Sequence, residues 1–310
     1  MSTKQAKIKN LKKISIVKLS TLSLVGVMLL SSLGGCAIKQ NDKDNVIDNT
    51  RMEDKAYEYR SLEELRKVKL STYIDTFKEE DGSKKKYHVV EEQDVLELSR
   101  EFRYATKDYF KSYGASNWTN EDTKQFWPKD IEYMVTAIAY RESTYRTDST
   151  NKERDCVGMM GINKNKMVPT LEQWLTSYHW APNYPQVEYD VTKVDMFNPT
   201  TSMEYTYYNI GYNLINFFKK DKYFTDKDGK YKTIWTTLKY SEDMQNRLII
   251  ASHLFGIDNV VDSIYDRNYD EEQKRYISLD EYIYSDYVED VLDKMYELKN
   301  TYEQEQGLSR

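Results

Sequence analysis

Residues 137–145 read Ala-Ile-Ala-Tyr-Arg-Glu-Ser-Thr-Tyr, and residues 157–162 read Val-Gly-Met-Met-Gly-Ile. Upstream, Pro128 suits the first position of a helix, where its missing N–H costs nothing. Asp130 and Glu132 follow, and acidic groups favour a helix start. Ile131, Met134, Val135, Ile138 and Ala139 then form an apolar stripe of helical period. Glu142 lies four residues after Ile138 and continues that stripe. It is therefore expected to point inward near a helix C-terminus, facing a glycine-bracketed turn that can shape a cleft. Burial and the negative end of the helix dipole both disfavour a carboxylate, so its pKa should be raised. A carboxyl that keeps its proton near neutral pH is suited to general acid work. The same periodicity also allows an exposed Glu142 at a fraying helix end, paired with Arg141 or Arg146.

Working outward, Glu53–Lys67 reads as a short charged helix. Leu70–Phe77 and Lys86–Val90 flank Asp81-Gly82, a hairpin turn signal. An amphipathic helix spans Asp94–Lys111, with Val95, Leu96, Leu98, Phe102, Ala105 and Tyr109 on one face. After the Glu142 helix, a further helix is expected over Val168–Tyr178, then a Pro- and Tyr-rich loop over Trp180–Asn198. Helices follow over Pro199–Lys219 and within 232–265, and one long helix over Ser278–Gln304. The expected class is mainly α, an all-α domain at 93–305 with a small N-terminal α/β appendage at 56–92, its helices joined by loops rather than a sheet.

The N-terminus carries six lysines and then an apolar run from Leu19 to Leu33, too short to span a membrane comfortably and placed as in a secretory signal. It ends Leu33-Gly34-Gly35-Cys36, which resembles a bacterial lipobox. That resemblance implies removal of residues 1–35 and lipid on Cys36, hence an extracytoplasmic chain anchored to a membrane surface. Residues 36–55 are polar and read as the lipidated cysteine and its tether. An uncleaved anchor helix or an ordinary signal are the other readings of this end.

The chain has a formal net charge of −6. Cleavage before Cys36 removes six lysines and no acid, leaving about −12. Such a chain is poorly suited to nucleic acid. Two cysteines occur; with Cys36 assigned to lipid, Cys156 has no intramolecular partner, and no nearby His would activate it as a nucleophile. The three histidines show no metal-ligand spacing, so no metal and no cofactor is expected. Tyrosine is over-used, at 28 of 310 residues; such rings stack on sugars, although aromatic stripes on helices are usually core.

Four blocks carry a family resemblance. Arg141-Glu142-Ser143-Thr144-Tyr145 and Gly158-Met159-Met160-Gly161-Ile162 resemble the Glu-Ser and Gly-Leu-Met-Gln-Ile motifs of the lytic transglycosylases related to goose-type lysozyme. Asn198–Ile210 resembles the family's second block. Ala251-Ser252-His253-Leu254-Phe255-Gly256 is similar in place to a third, and Tyr287-Val288 to a fourth. This sequence departs at Gly161, where the family has Gln, and at Ser202, Thr206 and His253-Leu254. The resemblance implies a lysozyme-like fold and an enzyme without a cofactor that cuts the glycan strands of peptidoglycan, between N-acetylmuramic acid and N-acetylglucosamine. Glu142 would be the catalytic acid and then base, with a 1,6-anhydro product. Ser143 would orient it, the backbone at Met159 and Met160 would form a cleft wall, and Tyr205, Tyr208 and His253 would lie along the sugar. Glu204, were it to face Glu142, would activate water and make a hydrolytic muramidase instead; a solvated Glu204 is the expected alternative. A non-catalytic glycan-binding lipoprotein, or a scaffold of an envelope machine, also fits this pattern.

Overall fold

The computed structural model describes residues 59–79, 81–114, 127–171, 195–215 and 240–305. The chain divides into two units, Met1–Lys55 and Ala56–Arg310, and all described residues belong to the second. The expected signal segment, Cys36, the expected tether, Trp174 and most of the Pro- and Tyr-rich stretch lie outside the described residues.

The protein is mainly helical, with three small antiparallel sheets among the described residues. Helix α1 (Leu62–Leu65) is short because only one turn is capped: Ser61 and Glu64 form a capping box, and Leu65 anchors it in the core. Strands β1 (Thr72–Lys78) and β2 (Lys84–Val90) form the hairpin expected around Asp81-Gly82, in register from Thr72↔Val90 to Lys78↔Lys84. Gly82 supplies the positive φ of the turn, at 83°. Tyr87, Val89 and Val90 of β2 are buried, while β1 is largely exposed. The hairpin does not stand apart from the helices. Val90 N–H donates to the Tyr145 carbonyl at 3.1 Å, and Thr147 N–H to the His88 carbonyl at 2.9 Å, so the chain following Glu142 is stitched to β2.

Helix α2 (Glu92–Gly114) buries Val95, Leu96, Leu98 and Phe102 as its pattern predicts. Helix α3 (Ile131–Ser143) is packed by α2, by α4 (Pro199–Asn213) and by α8 (Asp286–Glu305). Every residue from Ile131 to Ala139 is buried. The five-residue stripe was therefore only part of its contact surface. Pro128 is not the first helical residue. It lies in the preceding turn, its carbonyl accepting from Ile131 N–H at 3.2 Å, and Asp130 occupies the N-cap position. Asp130 makes no side-chain cap; it binds Lys299 of α8 at 2.6 Å. Glu132 is buried against Arg103, with both carboxylate oxygens within 2.9 Å of Nη1.

Helix α4 starts as its sequence suggests, with Asn198 capping Thr200 N–H at 2.9 Å and Pro199 in the first turn. Helices α5 (Glu242–Phe255) and α6 (Ile257–Ile264) follow, divided at Gly256. The single long C-terminal helix expected over Ser278–Gln304 is two: α7 (Leu279–Ile283) and α8, broken at Tyr284-Ser285. The Ser285 hydroxyl donates back to the Tyr282 carbonyl at 2.8 Å, the local competition that ends helices at serine. The break re-aims the chain and places Tyr287 in the first turn of α8. Loops alone do not join the helices. Strands β3 (Thr150–Asn151), β4 (Cys156–Val157) and β5 (Ile162–Asn163) form a three-stranded sheet directly after α3, and β6 (Tyr269–Asp270) pairs with β7 (Arg275–Tyr276).

Candidate active site

The site is built where α3 stops. Thr144 and Tyr145 both adopt left-handed backbone, with φ 54° and 62°. For a β-branched residue such as Thr144 this is costly, on the order of 1–3 kcal/mol. The surroundings enforce it. Tyr145 is buried, its hydroxyl donates to Glu92 at 2.9 Å, and its carbonyl accepts from β2. The chain therefore turns sharply past Glu142 and folds the small sheet across it.

That sheet is closed by short side chains. Asn151 Oδ1 accepts from the N–H groups of Glu153 and Arg154, shaping the β3–β4 turn. Gly158 and Gly161 bracket the β4–β5 connection with φ 76° and 59°. Gly158 is required by crowding as well, since a Cβ there would lie 2.0 Å from the Met196 carbonyl oxygen. Between the glycines, Met159 and Met160 are fully buried. The Ser143 hydroxyl donates to the Met159 carbonyl at 2.8 Å, and Met160 N–H donates to Ser202 Oγ at 3.2 Å. Two serines thus pin the turn, one to α3 and one to α4. Ser202 thus has a structural use here.

Glu142 sits under this turn. Its Oε1 accepts a hydrogen bond from Tyr287 Oη at 2.6 Å. Its Oε2 faces Gly161, where an added Cβ would lie 2.3 Å away. Burial pushes the Glu142 pKa up; the Tyr287 hydrogen bond and the charges of Arg141 and Arg154 oppose that push without cancelling it. The direction agrees with the expectation from helix periodicity. Tyr287 is raised well above the usual phenol range by burial and by the adjacent carboxylate, so it stays a hydrogen-bond donor. Arg141 stacks over the Tyr287 ring at 5.4 Å and binds Asp290 at 2.9 Å. Cys156 is half-buried, donates to the Arg154 carbonyl at 3.3 Å, and is raised by burial and by the Glu142 charge. Beside this cluster, Tyr140, Arg141 and Thr144 of the α3 end and Asp290, Asp293 and Lys294 of α8 line a cavity of about 420 Å³.

The other expected site residues are placed differently. Ser143 lies beside Glu142 but is 1 % exposed and holds the turn, so it positions rather than touches a substrate. Met159 and Met160 point into the core, and the carbonyl of the first and the N–H of the second are already engaged. Tyr205 and Tyr208 are corrected outright: both are core residues, at 1 % and 0 % exposure, and cannot stack on a sugar. Their rings pack inside the helical core, which periodicity alone does not separate from a platform. His253 is also buried, its Nδ1 3.5 Å from Asn209 Nδ2, and burial lowers its pKa to about 4. It is neutral and internal rather than a cleft residue. Glu204 is neither solvated nor turned to Glu142. It is 3 % exposed, accepts from Arg66 Nη2 at 2.6 Å and from Tyr208 Oη at 2.7 Å, and ties α1 to α4.

Tyr287 was the residue missed as a partner of Glu142. Its Tyr-Val dipeptide was the available signal, but nothing local ties it to a group 145 positions away. Among the described residues no group of His, Cys, Asp and Glu could hold a metal ion, and no helix is long and apolar enough to cross a membrane. Comparison with protein-family models, with curated proteins and with solved structures finds no match for this chain.

Proposed function

We propose that this chain is a lytic transglycosylase with a lysozyme-like helical domain, lipid-anchored through Cys36 and acting on peptidoglycan outside the membrane. The observation that carries the reading is the Glu142–Tyr287 pair: a carboxyl with a raised pKa at the end of α3, held by a neutral donor rather than neutralised by a contacting cation. Tyr287 occupies Oε1, which leaves Oε2 to carry the transferable proton. Glu142 donates that proton to the glycosidic oxygen between N-acetylmuramic acid and N-acetylglucosamine. The C1–O bond breaks, and the 2-acetamido oxygen of the muramic residue stabilises the cationic C1. The carboxylate left on Glu142 is then stabilised by the Tyr287 hydrogen bond and by Arg141 and Arg154. As a base it removes the proton from the muramic C6 hydroxyl. O6 bonds to C1 and closes the 1,6-anhydro ring, with no water consumed and Glu142 again protonated.

A hydrolytic muramidase needs a second carboxylate to direct water. Glu204, the candidate for that role, is committed to Arg66 and Tyr208. This favours the one-carboxyl route.

The test is a digest of purified peptidoglycan by the full chain beside Glu142→Gln, read by mass spectrometry. Anhydromuropeptides from the wild type alone are the expected result. Products about 18 Da heavier, the mass of a water, would mean hydrolysis. No products from several wall types would overturn the enzyme reading in favour of a glycan-binding or scaffold lipoprotein.

A further inference from the structure

Gly161 has a second use beyond closing the turn. Its φ of 59° lies in the left-handed region, and a Cβ at this position would stand 2.3 Å from Glu142 Oε2, 2.8 Å from Cδ and 3.0 Å from Cγ. No real Cβ contact is that short, so one of the two groups would have to move. The turn is not free to move: its carbonyl at Met159 is held by Ser143, its N–H at Met160 by Ser202, and both methionine side chains are buried. The Glu142 side chain is the softer partner, but its other oxygen is held by Tyr287 at 2.6 Å. The carboxyl is thus clamped between a phenol on one oxygen and a bare α-carbon on the other.

We propose that Gly161 is a positioning residue, whose missing side chain is the space that the Glu142 carboxyl occupies. Any other residue at 161 displaces the carboxyl from Tyr287 and turns its proton away from the reacting oxygen. As a statement about catalysis this rests on the function proposed above; as a statement about where the carboxyl sits it does not. The charged and titratable groups that face Glu142 are Arg141 on its own helix, Arg154 and Cys156 from the small sheet, and Tyr287 from α8. None of them is altered by a change at Gly161.

The test is a cycle of four full-length proteins: wild type, Gly161→Ala, Glu142→Asp and the double variant. Gly161→Ala is expected to lower turnover about a hundredfold, the scale for moving a reacting group by an ångström. Aspartate is one methylene shorter and withdraws from the added Cβ. In that background the alanine should therefore cost much less, a non-additivity that marks direct contact. Equal losses from the alanine in both backgrounds would overturn the proposal. If Gly161→Ala does not fold, folding of the double variant supports the contact, and failure of both to fold overturns it by assigning Gly161 to the turn alone. The carboxyl titration of Glu142, followed by carbon NMR and assigned through Glu142→Gln, keeps this proposal separate from the proposed function. A wild type that releases no wall products ends the enzyme reading. A shifted Glu142 midpoint in Gly161→Ala still supports the positioning, because displacement changes both the burial and the Tyr287 hydrogen bond that set it, and an unchanged midpoint overturns it.

Discussion

Helix α3 carries a buried glutamate near its start and a half-buried one near its end, and the protein treats them differently. Glu132, near the start, is 8 % exposed and meets the Arg103 guanidinium through both oxygens. Glu142, near the end, meets a phenol hydroxyl on one oxygen and an α-carbon beside the other. Burial pushes both pKa values up, and at Glu132 the Arg103 charge pulls back as the largest opposing influence. A carboxylate given a bidentate cation is a joint between helices. A carboxyl given a neutral donor retains a reason to hold a proton and a reason to release it. The partners differ in kind, and that difference separates the structural glutamate from the candidate acid.

The largest expected effect is on chemistry. Glu142→Gln should abolish wall cleavage, with a loss of about a hundredfold to ten-thousandfold or more in turnover, while circular dichroism stays native. Residual cleavage within a few-fold of wild type would remove Glu142 from the mechanism. Glu132→Gln should do the reverse. It removes the carboxylate charge that Arg103 meets and is expected to cost about 3 kcal/mol of stability in denaturant unfolding, with the remaining folded protein as active as wild type. If Glu132→Gln is fully stable and inactive, the roles assigned to the two helix ends are exchanged.

Tyr287→Phe sharpens the contrast. It should cost about 1 kcal/mol in unfolding, the scale of a single hydrogen bond. Because the lost hydrogen bond had been lowering the Glu142 pKa, that pKa should rise further and the alkaline limb of the pH–rate profile should move to higher pH. A limb that moves down would mean that Tyr287 does not act on Glu142. The smallest effect is on stability against pH. Glu142 binds its proton more tightly folded than unfolded, so its contribution falls as pH rises from the ordinary glutamate range through its raised folded pKa. Below that window wild type and Glu142→Gln should match. Above it the Gln variant should be the more stable by a few degrees in Tm, about 2–4 °C if the difference is near 1 kcal/mol. A difference independent of pH would show that Glu142 titrates as an ordinary carboxyl.

Much of the local architecture was legible before any coordinates. The hairpin at Asp81-Gly82, the helix start at Pro199, the amphipathic α2 and the placement of Glu142 near a helix end all follow from turn chemistry and apolar spacing. The break at Tyr284-Ser285 and the two-residue strands around Cys156 were not legible, because each depends on a serine or glycine whose effect is set by neighbours in space. Tyr205, Tyr208 and His253, which the resemblance put along the sugar, are buried instead, because a motif position does not report whether another helix covers it.

By itself the sequence determined that the domain is mainly helical and that one carboxyl, Glu142, ends an apolar stripe beside a glycine-bracketed turn. Local preferences and a period of 3.6 residues are enough for that. Only the tertiary structure decided which partners the buried charges receive: Tyr287 for Glu142 across 145 positions, Arg66 for Glu204 across 138, Arg103 for Glu132. Those choices are made when helices dock, because hydrogen-bond distance depends on how two faces meet and not on the spacing within either one.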